Sequence, residues 1–379
     1  MRERANVTKS TTDWHHVNWR VAYRQVRNLR RRIFKATEKE DWRKVRNLQR
    51  LMLRSYSNAL LAVRRATQKN RGKKTAGVDW VLVKTPKARG KLVDDLMNHR
   101  DWQPKPARRV YIPKNNGKVR PLGIPTIRDR CLQAIVKNAL EPCWEAQFEG
   151  ISYGFRPGRS PHDAIGKLQN SATPNRRKKW VVDADIEGCF DNINQEYLMS
   201  KIGNFPARRL IKAWLKAGYM EQDIFHQLDR GTPQGGIISP LLANIALHGI
   251  EAALGVKYDS SGESRGKRIL VRYADDFVIL CESQEDAIKA KEETQSWLQE
   301  AGLELSEEKT GIVHLTNGFD FLGFNIRHYK VSHTKTGYKL LIKPSKDFLK
   351  RTRRDIREVF LQYRGKSVSP LITAINPII

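Results

Sequence analysis

Aspartates interrupt two apolar, strand-like stretches of the sequence. Asp183 and Asp185 lie within residues 181–186, and because side chains alternate along a strand, both carboxylates should lie on one face. Asp275 and Asp276 lie between the largely apolar runs 270–273 and 277–280, where a tight turn between two strands is expected. Because Asp is common in turns, this second pair alone would also fit an ordinary hairpin.

The elements around these aspartates predict how they meet. Six elements are predicted in this order: strand (180–186), helix (240–254), strand (269–274), strand (277–281), helix (284–301) and strand (310–315). Ser239 and Ser283 stand where helix N-caps are expected. The βαββαβ order is the split ferredoxin-like arrangement, in which the first strand lies beside the central hairpin. Asp185 should therefore converge with Asp275 and Asp276 at one edge of the sheet.

Converging carboxylates require positive charge between them. Two carboxylates about 4 Å apart repel by roughly 4 kcal/mol at an effective dielectric constant of about 20. Hard oxygen ligands suit Mg²⁺, and two such ions about 3.5 to 4 Å apart activate an attacking hydroxyl and stabilise a leaving phosphate oxygen. The chemistry predicted for the three aspartates is nucleotidyl transfer with two Mg²⁺ ions.

The overall charge indicates a polyanionic partner. The 379 residues carry a formal charge of +30, and the pI is about 10.1, which favours nucleic acid. No run approaches the roughly 20 apolar residues of a spanning helix, and no signal-peptide core follows Met1, so no membrane partner is expected. We expect a cytoplasmic bacterial protein, with residence in an organelle left open. The four cysteines are too irregularly spaced for zinc or disulfides and are expected to be buried thiols.

Residues 14–74 combine basic and apolar side chains at helical spacing. Trp19, Val26, Leu29 and Ile33 exemplify the apolar stripe, and Asp41 stands where a helix N-cap belongs. Two or three basic amphipathic helices are predicted here, forming an RNA-binding extension over residues 1–75. A solvated helical face is the alternative. From about residue 108, strand and turn residues predict a β-hairpin with basic residues around its tip.

Six short motifs are spread over residues 152–324. They are Ser-Tyr-Gly-Phe-Arg-Pro-Gly-Arg at 152–159, an aspartate followed five residues later by phenylalanine at 185–190, Gly-Thr-Pro-Gln-Gly-Gly-Ile-Ile-Ser-Pro at 231–240, Tyr-Ala-Asp-Asp at 273–276, Leu-Ser-Glu-Glu-Lys-Thr at 305–310 and Phe-Leu-Gly-Phe at 321–324. Together they resemble the motifs of group II intron-encoded reverse transcriptases. The second motif selects Asp185, rather than Asp183, as the metal ligand.

The resemblance implies roles for residues around the metal site. Asp185, Asp275 and Asp276 would hold the Mg²⁺ ions together with the backbone carbonyl of Ile186. Lys309 would protonate the pyrophosphate leaving group as a general acid. A solvated lysine is the alternative for this last position.

The same resemblance implies a site for the incoming nucleotide. Phe190 would bar a 2′-hydroxyl, so that deoxynucleotides are preferred. Lys114 and Arg120, on the basic hairpin, would hold the triphosphate, since a guanidinium suits bidentate phosphate contact. Gln234 and Gly235 would line the nucleotide, with glycine allowing close backbone approach.

The implied architecture is an α+β, right-hand polymerase with fingers and a βαββαβ palm, preceded by the basic helical extension. Residues 76–335 would form the fingers and palm, and residues 336–379 the start of a partial thumb. The implied activity is RNA-directed DNA synthesis for a group II intron-type retroelement. Its partners would be an RNA template, intron RNA, a DNA primer or target, and dNTPs. An RNA-binding maturase with secondary or lost polymerase activity, or a defence-associated reverse transcriptase, is the alternative, and the oligomeric state is left open.

Overall fold

The computed structural model describes residues 11–98, 102–113, 119–232, 235–259 and 264–378. The helices are α1 (Trp19–Glu38), α2 (Trp42–Leu53), α3 (Tyr56–Arg64), α4 (Pro86–Asn98), α5 (Ile127–Glu145), α6 (Pro161–Ser171), α7 (Cys189–Asn192), α8 (Gln195–Ile202), α9 (Arg208–Lys216), α10 (Ser239–Ala246), α11 (Ile250–Ala253), α12 (Gln284–Glu300), α13 (Lys346–Gln362) and α14 (Val368–Ile375). The strands are β1 (Ala107–Pro113), β2 (Val119–Ile124), β3 (Trp180–Asp185), β4 (Tyr219–Glu221), β5 (Ile224–His226), β6 (Lys257–Tyr258), β7 (Ser264–Arg265), β8 (Ile269–Tyr273), β9 (Asp276–Cys281), β10 (Gly311–His314), β11 (Phe319–Phe321), β12 (Phe324–Lys330) and β13 (Tyr338–Pro344).

The palm is an antiparallel sheet with the strand order β10-β3-β9-β8. This order is the one that the predicted βαββαβ arrangement requires, because the first strand, β3, lies between the last strand and the central hairpin. The residues of β8 and β9 are buried almost throughout, since α12 packs against β3 and β9 and α6 packs against β8. The predicted α+β fold with a split ferredoxin-like palm is confirmed.

The predictions for the palm helices are partly wrong and partly confirmed. The single helix predicted over 240–254 is wrong, because α10 ends at Ala246 and α11 begins at Ile250. Ser239 is the first residue of α10 rather than its N-cap. The Ser283 cap is confirmed, since its side chain accepts a hydrogen bond from the Asp286 N–H.

The fingers contain the predicted hairpin within a larger sheet. β1 and β2 pair antiparallel, with Arg120 opposite Ile112, and the sheet order is β2-β1-β4-β5. β4 runs parallel to β1, an addition that the sequence did not predict. Residues 114–118 at the hairpin tip lie outside the described residues.

The basic N-terminal helices pack on the fingers helix α5 through an apolar stripe. Val26, Ile33, Val45 and Met52 belong to the same core as the palm strands. The predicted N-cap is confirmed, since Asp41 accepts from the Lys44 N–H. After α3 the chain continues through a π-helical turn (Arg65–Lys69) and a 3₁₀ turn (Arg71–Lys74). The extension is therefore integrated with the body of the protein by shared core residues.

The last part of the described chain forms a further, three-stranded sheet and two helices. β12 pairs with both β11 and β13, and α13 follows directly after β13. Neither α13 nor α14 buries a residue. Cys131, Cys143, Cys189 and Cys281 are buried free thiols, as predicted. Throughout the described ranges, no helix is long and apolar enough to cross a membrane.

Candidate active site

Three aspartates lie at one end of the palm sheet. Asp185 is the last residue of β3, and its Cα partner across the strands is Asp276, the first residue of β9. Asp275 precedes Asp276 in the turn that connects β8 to β9. The register of the sheet thus brings together the aspartates that the sequence places about ninety residues apart, as predicted from the topology.

The turn that carries Asp275 is tight and conformationally unusual. Tyr273 pairs with Asp276, so only Ala274 and Asp275 connect the strands. Ala274 has a φ of 62°, the positive value that a type II′ turn requires at its first central residue. The backbone of Gly154 packs directly on this turn, because a Cβ atom there would lie 2.3 Å from the Ala274 nitrogen.

The aspartates crowd negative charge into a partly buried position. Burial, and to a smaller extent the charges of Asp183, Asp185 and Asp275, raise the pKa of Asp276 to about 7. Burial also raises the pKa of Asp275, where the Asp185 charge adds to the effect. Both shifts show that ionising these groups together is unfavourable. A bound cation would relieve that repulsion.

The donor chemistry fits a hard divalent cation, although the side-chain oxygens of the three aspartates do not point at one common position. Within the described ranges, no three His, Cys, Asp or Glu side chains already form a compact metal-binding group. Instead, the Lys309 ammonium donates to Asp185 Oδ2. Carboxylate oxygens are the ligands that Mg²⁺ prefers. Rotation of side chains at the end of β3 and in the turn would be needed for the three aspartates to share an ion.

Lys309 reaches the site because the segment after α12 pairs with the end of β3. The Ser306 N–H donates to the Asp185 carbonyl (2.8 Å), and Ile186 forms an isolated bridge with Leu305. The bond to Asp185 raises the pKa of Lys309, and the Asp275 charge acts in the same direction. Lys309 is therefore protonated at neutral pH, and its side chain remains 61% exposed.

Phe190 follows Asp185 by five residues and lies in the short helix α7. Its side chain is buried, and its ring packs edge to face against Phe155, with centroids 6.2 Å apart. The Thr232 N–H donates to the Phe190 carbonyl (2.6 Å), which ties α7 to the segment that precedes the Pro-Gln-Gly motif. The sequence did not predict that Phe155, which is 48% exposed, would flank this ring.

The predicted nucleotide-binding residues are only partly within the described chain. Lys114 and Gln234 lie outside the described residues. Arg120 is exposed on β2, and its charge opposes the rise in the pKa of Asp275. Gly235 approaches β2 closely, since a Cβ atom there would lie 2.4 Å from the Gly123 carbonyl oxygen. The roles of these residues remain predictions.

A buried arginine beneath the turn was missed by sequence reasoning. Arg272, the residue before Tyr273, is fully buried. It contacts the carbonyl of Ala274 and the side chain of Asn244. The available signal was a lone cation within the apolar run 269–273, which is too short a pattern to distinguish a buried arginine from one that faces solvent.

Family models and known proteins match this chain over most of its length. The model for reverse transcriptase (RNA-dependent DNA polymerase) matches residues 112–326, and the model for the N-terminal domain of reverse transcriptase matches residues 14–96. Protein YkfC of Escherichia coli (strain K12) is 37% identical over 318 residues, which cover 74% of this chain and 83% of YkfC.

The resemblance to group II intron-encoded proteins is also confirmed. Group II intron-encoded protein LtrA of Lactococcus lactis subsp. cremoris is 37% identical over 287 residues, 60% of this chain, and the match spans 47% of LtrA, about half its length. A solved structure of telomerase from Candida albicans aligns with 69% of this chain and 50% of its own, at 14% identity and a TM-score of 0.41. From the family match and the sequence relatives, the chain belongs to the reverse transcriptase (RNA-dependent DNA polymerase) family.

Proposed function

We propose that this chain is an RNA-directed DNA polymerase of a group II intron-type retroelement. The observation that carries the proposal is the pairing of Asp185 with Asp276 across β3 and β9, directly beside Asp275 in the turn. Asp185, Asp275 and Asp276 would hold two Mg²⁺ ions, with the Ile186 carbonyl as a further ligand. When bound, such ions activate the attacking hydroxyl and stabilise the charge on the transferred phosphate.

Lys309 is proposed to donate a proton to the pyrophosphate leaving group. Lys309 is protonated at neutral pH with or without its bond to Asp185, because that bond only raises further a pKa whose ordinary value is 10.5, and protonation is the state that a general acid needs. Its side chain is 61% exposed and is therefore open to contact by a bound ligand. With a metal ion held by Asp185, the Lys309 ammonium would no longer be paired with that carboxylate and could turn toward the leaving group.

The nucleotide is proposed to bind between the palm and the fingers hairpin. Arg120 and Lys114 would hold the triphosphate, and Gln234 and Gly235 would line the nucleotide. Phe190 would exclude a 2′-hydroxyl. The burial of Phe190 and its edge-to-face contact with Phe155 support this role, because a gate must keep its position when a ribonucleotide presses against it.

RNA is proposed to bind along the outer face of α1. Arg20, Arg24, Arg27 and Arg31 recur at intervals of three and four residues, and all are exposed. Such a line of cations suits the phosphate backbone of a template or of intron RNA. Because relatives include a group II intron-encoded protein, this surface also supports the maturase alternative, in which RNA binding serves splicing.

We also propose a division of the chain into three units. Residues 1–75 would form the RNA-binding extension, followed by the fingers and palm and then the start of a thumb. The predicted boundary at 335/336 would separate β13 from its partner β12. We therefore place the start of the thumb at Ser345, the N-cap of α13.

Primer extension on an RNA template tests the proposed activity. The purified chain, with a DNA primer, dNTPs and Mg²⁺, should add deoxynucleotides, and Asp275→Asn should abolish addition while duplex binding persists. A chain that binds RNA tightly but adds no nucleotide would favour the maturase alternative.

The RNA-binding face is tested by charge removal. A variant carrying Arg24→Gln, Arg27→Gln and Arg31→Gln should reduce the slope of log affinity against log salt by about 2 to 3, because each lost phosphate contact removes about 0.7 to 0.9 from the slope. Neutralising exposed Arg209, Lys212 and Lys216 on α9 is the matched control. Equal slopes for the α1 variant and the unaltered chain would show that these arginines do not bind phosphate.

A further inference from the structure

An arginine lies buried directly beneath the turn that carries Asp275. Arg272 has an exposed fraction of 0%, and it is the largest fully buried side chain among the described residues. Arginine is almost never fully buried unless it is paired. Its position, two residues before Ala274 and three before Asp275, therefore calls for a structural reason.

The Arg272 guanidinium closes a ring of contacts around the turn. Its Nη1 donates to the Ala274 carbonyl (3.3 Å) and to Asn244 Oδ1 (3.1 Å). Asn244, buried in α10, donates through Nδ2 to the Gly154 carbonyl (2.8 Å). Gly154 packs in turn against the backbone of Ala274. Each member of the ring thus contacts the next, and Ala274 is held on two sides.

A buried carboxylate supplies the counter-charge for the arginine, at ion-pair rather than hydrogen-bond distance. Glu149 Oε2 lies 3.7 Å from Nη2 of Arg272, while Oε1 accepts from the Gly249 N–H (2.6 Å) and lies 3.0 Å from Nδ1 of His248. Burial alone would raise the pKa of Glu149, but the His248 contact, the Arg272 charge and the Gly249 N–H together lower it to about 2. Glu149 is therefore ionised at neutral pH and compensates the buried cation.

The turn requires support because of the conformation of Ala274. A φ of 62° disfavours any residue that carries a Cβ, and such a conformation persists only when surrounding contacts hold it. In a two-residue turn, the conformation of Ala274 also sets the direction in which Asp275 points. A loosened turn would therefore displace a proposed metal ligand.

We propose that Arg272 and Asn244 are positioning residues, which hold the Ala274 turn so that the Asp275 carboxylate is aimed at the metal site. The inference rests on the proposed polymerase function. Neither residue touches the reacting groups, and both act through the turn. Outer contacts of this kind typically change metal affinity by about 10- to 100-fold when removed, and a displacement of about 1 Å can slow catalysis about 100-fold.

Asn244→Ala removes both of its ring contacts and is the first test. We expect kcat for single-nucleotide addition to fall about 10- to 100-fold, with the KM for dNTP and the affinity for the RNA–DNA duplex within about 3-fold of the unaltered chain. Binding of Mn²⁺ to the full chain without nucleotide, followed by electron paramagnetic resonance, should weaken by about 10-fold or more. Asn58→Ala is the matched control, because Asn58 is equally buried but bonds Met52 and Ile135, away from the turn.

A double variant covers the case in which Asn244→Ala does not fold. Glu149→Gln with Arg272→Met removes both buried charges together, a change that is often neutral for stability. It should show the same losses of kcat and Mn²⁺ affinity. Unchanged kcat and Mn²⁺ affinity in a folded variant would overturn the proposal, and so would a loss matched by Asn58→Ala or by an equal fall in duplex affinity. An unaltered chain that neither binds Mn²⁺ nor adds nucleotides would instead overturn the proposed function itself.

Discussion

Replacing Asp276 by asparagine should stabilise the metal-free protein while destroying its proposed activity. Burial and three neighbouring carboxylates raise the pKa of Asp276 to about 7, from an ordinary value of 3.8. A carboxyl whose pKa is higher in the folded state binds protons more tightly there than in the unfolded state. Ionisation of Asp276 therefore destabilises the fold as the pH rises from about 4 to about 7, and the penalty is constant above that range.

The size of the effect follows from the same shift. A difference of about 3 in pKa corresponds to about 4 kcal/mol, at 1.36 kcal/mol per pH unit. Because the pKa values of Asp183 and Asp275 are raised as well, and their charges are coupled to that of Asp276, we expect about 1 to 3 kcal/mol in practice. For a chain of 379 residues this raises the Tm of Asp276→Asn by about 1 to 4 °C.

Thermal unfolding in EDTA at pH 5 and at pH 8.5 measures this difference. The advantage of Asp276→Asn at pH 5 should be less than half of its value at pH 8.5, since most of the penalty develops between these values. Asp223→Asn, at an exposed turn residue, is the control and should show no such change. Addition of Mg²⁺ should stabilise the unaltered chain more than the variant. An advantage that does not grow with pH would refute the proposed crowding of carboxylates.

Three further predictions concern the surroundings of the aspartates. Phe190→Ala should raise the ratio of ribonucleotide to deoxynucleotide incorporation, and an unchanged ratio would assign the ring to the core alone. Lys309→Met should lower kcat by about 100-fold or more and flatten the alkaline limb of its pH profile, whereas an unaltered profile would exclude a general acid at this position. Gly154→Ala should lower Tm and kcat together, because its Cβ would lie 2.3 Å from the Ala274 nitrogen, and a fully active variant would show that the turn tolerates displacement.

The convergence of the aspartates could be predicted because it depends on regular features. Strand alternation places Asp183 and Asp185 on one face, and the βαββαβ order fixes which strands are neighbours. The apolar runs that flank Asp275 and Asp276 are long enough to identify the hairpin. The register that pairs Asp185 with Asp276 follows from these elements together.

The remaining features depend on contacts that leave no periodic pattern. β4 and β5 are three residues each, too short for alternation to identify a strand. The break between α10 and α11 was missed although Gly249 lies in it, because a single glycine is tolerated within a helix and the bond of the Gly249 N–H to the distant Glu149 leaves no sequence pattern. The burial of Arg272 likewise depends on Asn244 and Glu149, which are far from it in the sequence.

The most direct test compares the two aspartates on the same face of β3. Single-nucleotide addition on an RNA template is measured at saturating Mg²⁺ for the unaltered chain, Asp185→Asn and Asp183→Asn. Asp185 pairs with Asp276 and is a proposed metal ligand, so its loss should reduce kcat by about 1,000-fold or more. Asp183 lies two residues earlier on the same strand, opposite Val278. Its replacement should leave kcat within about 10-fold of the value for the unaltered chain. Equal losses for the two variants, or full activity of Asp185→Asn, would contradict the proposed metal site.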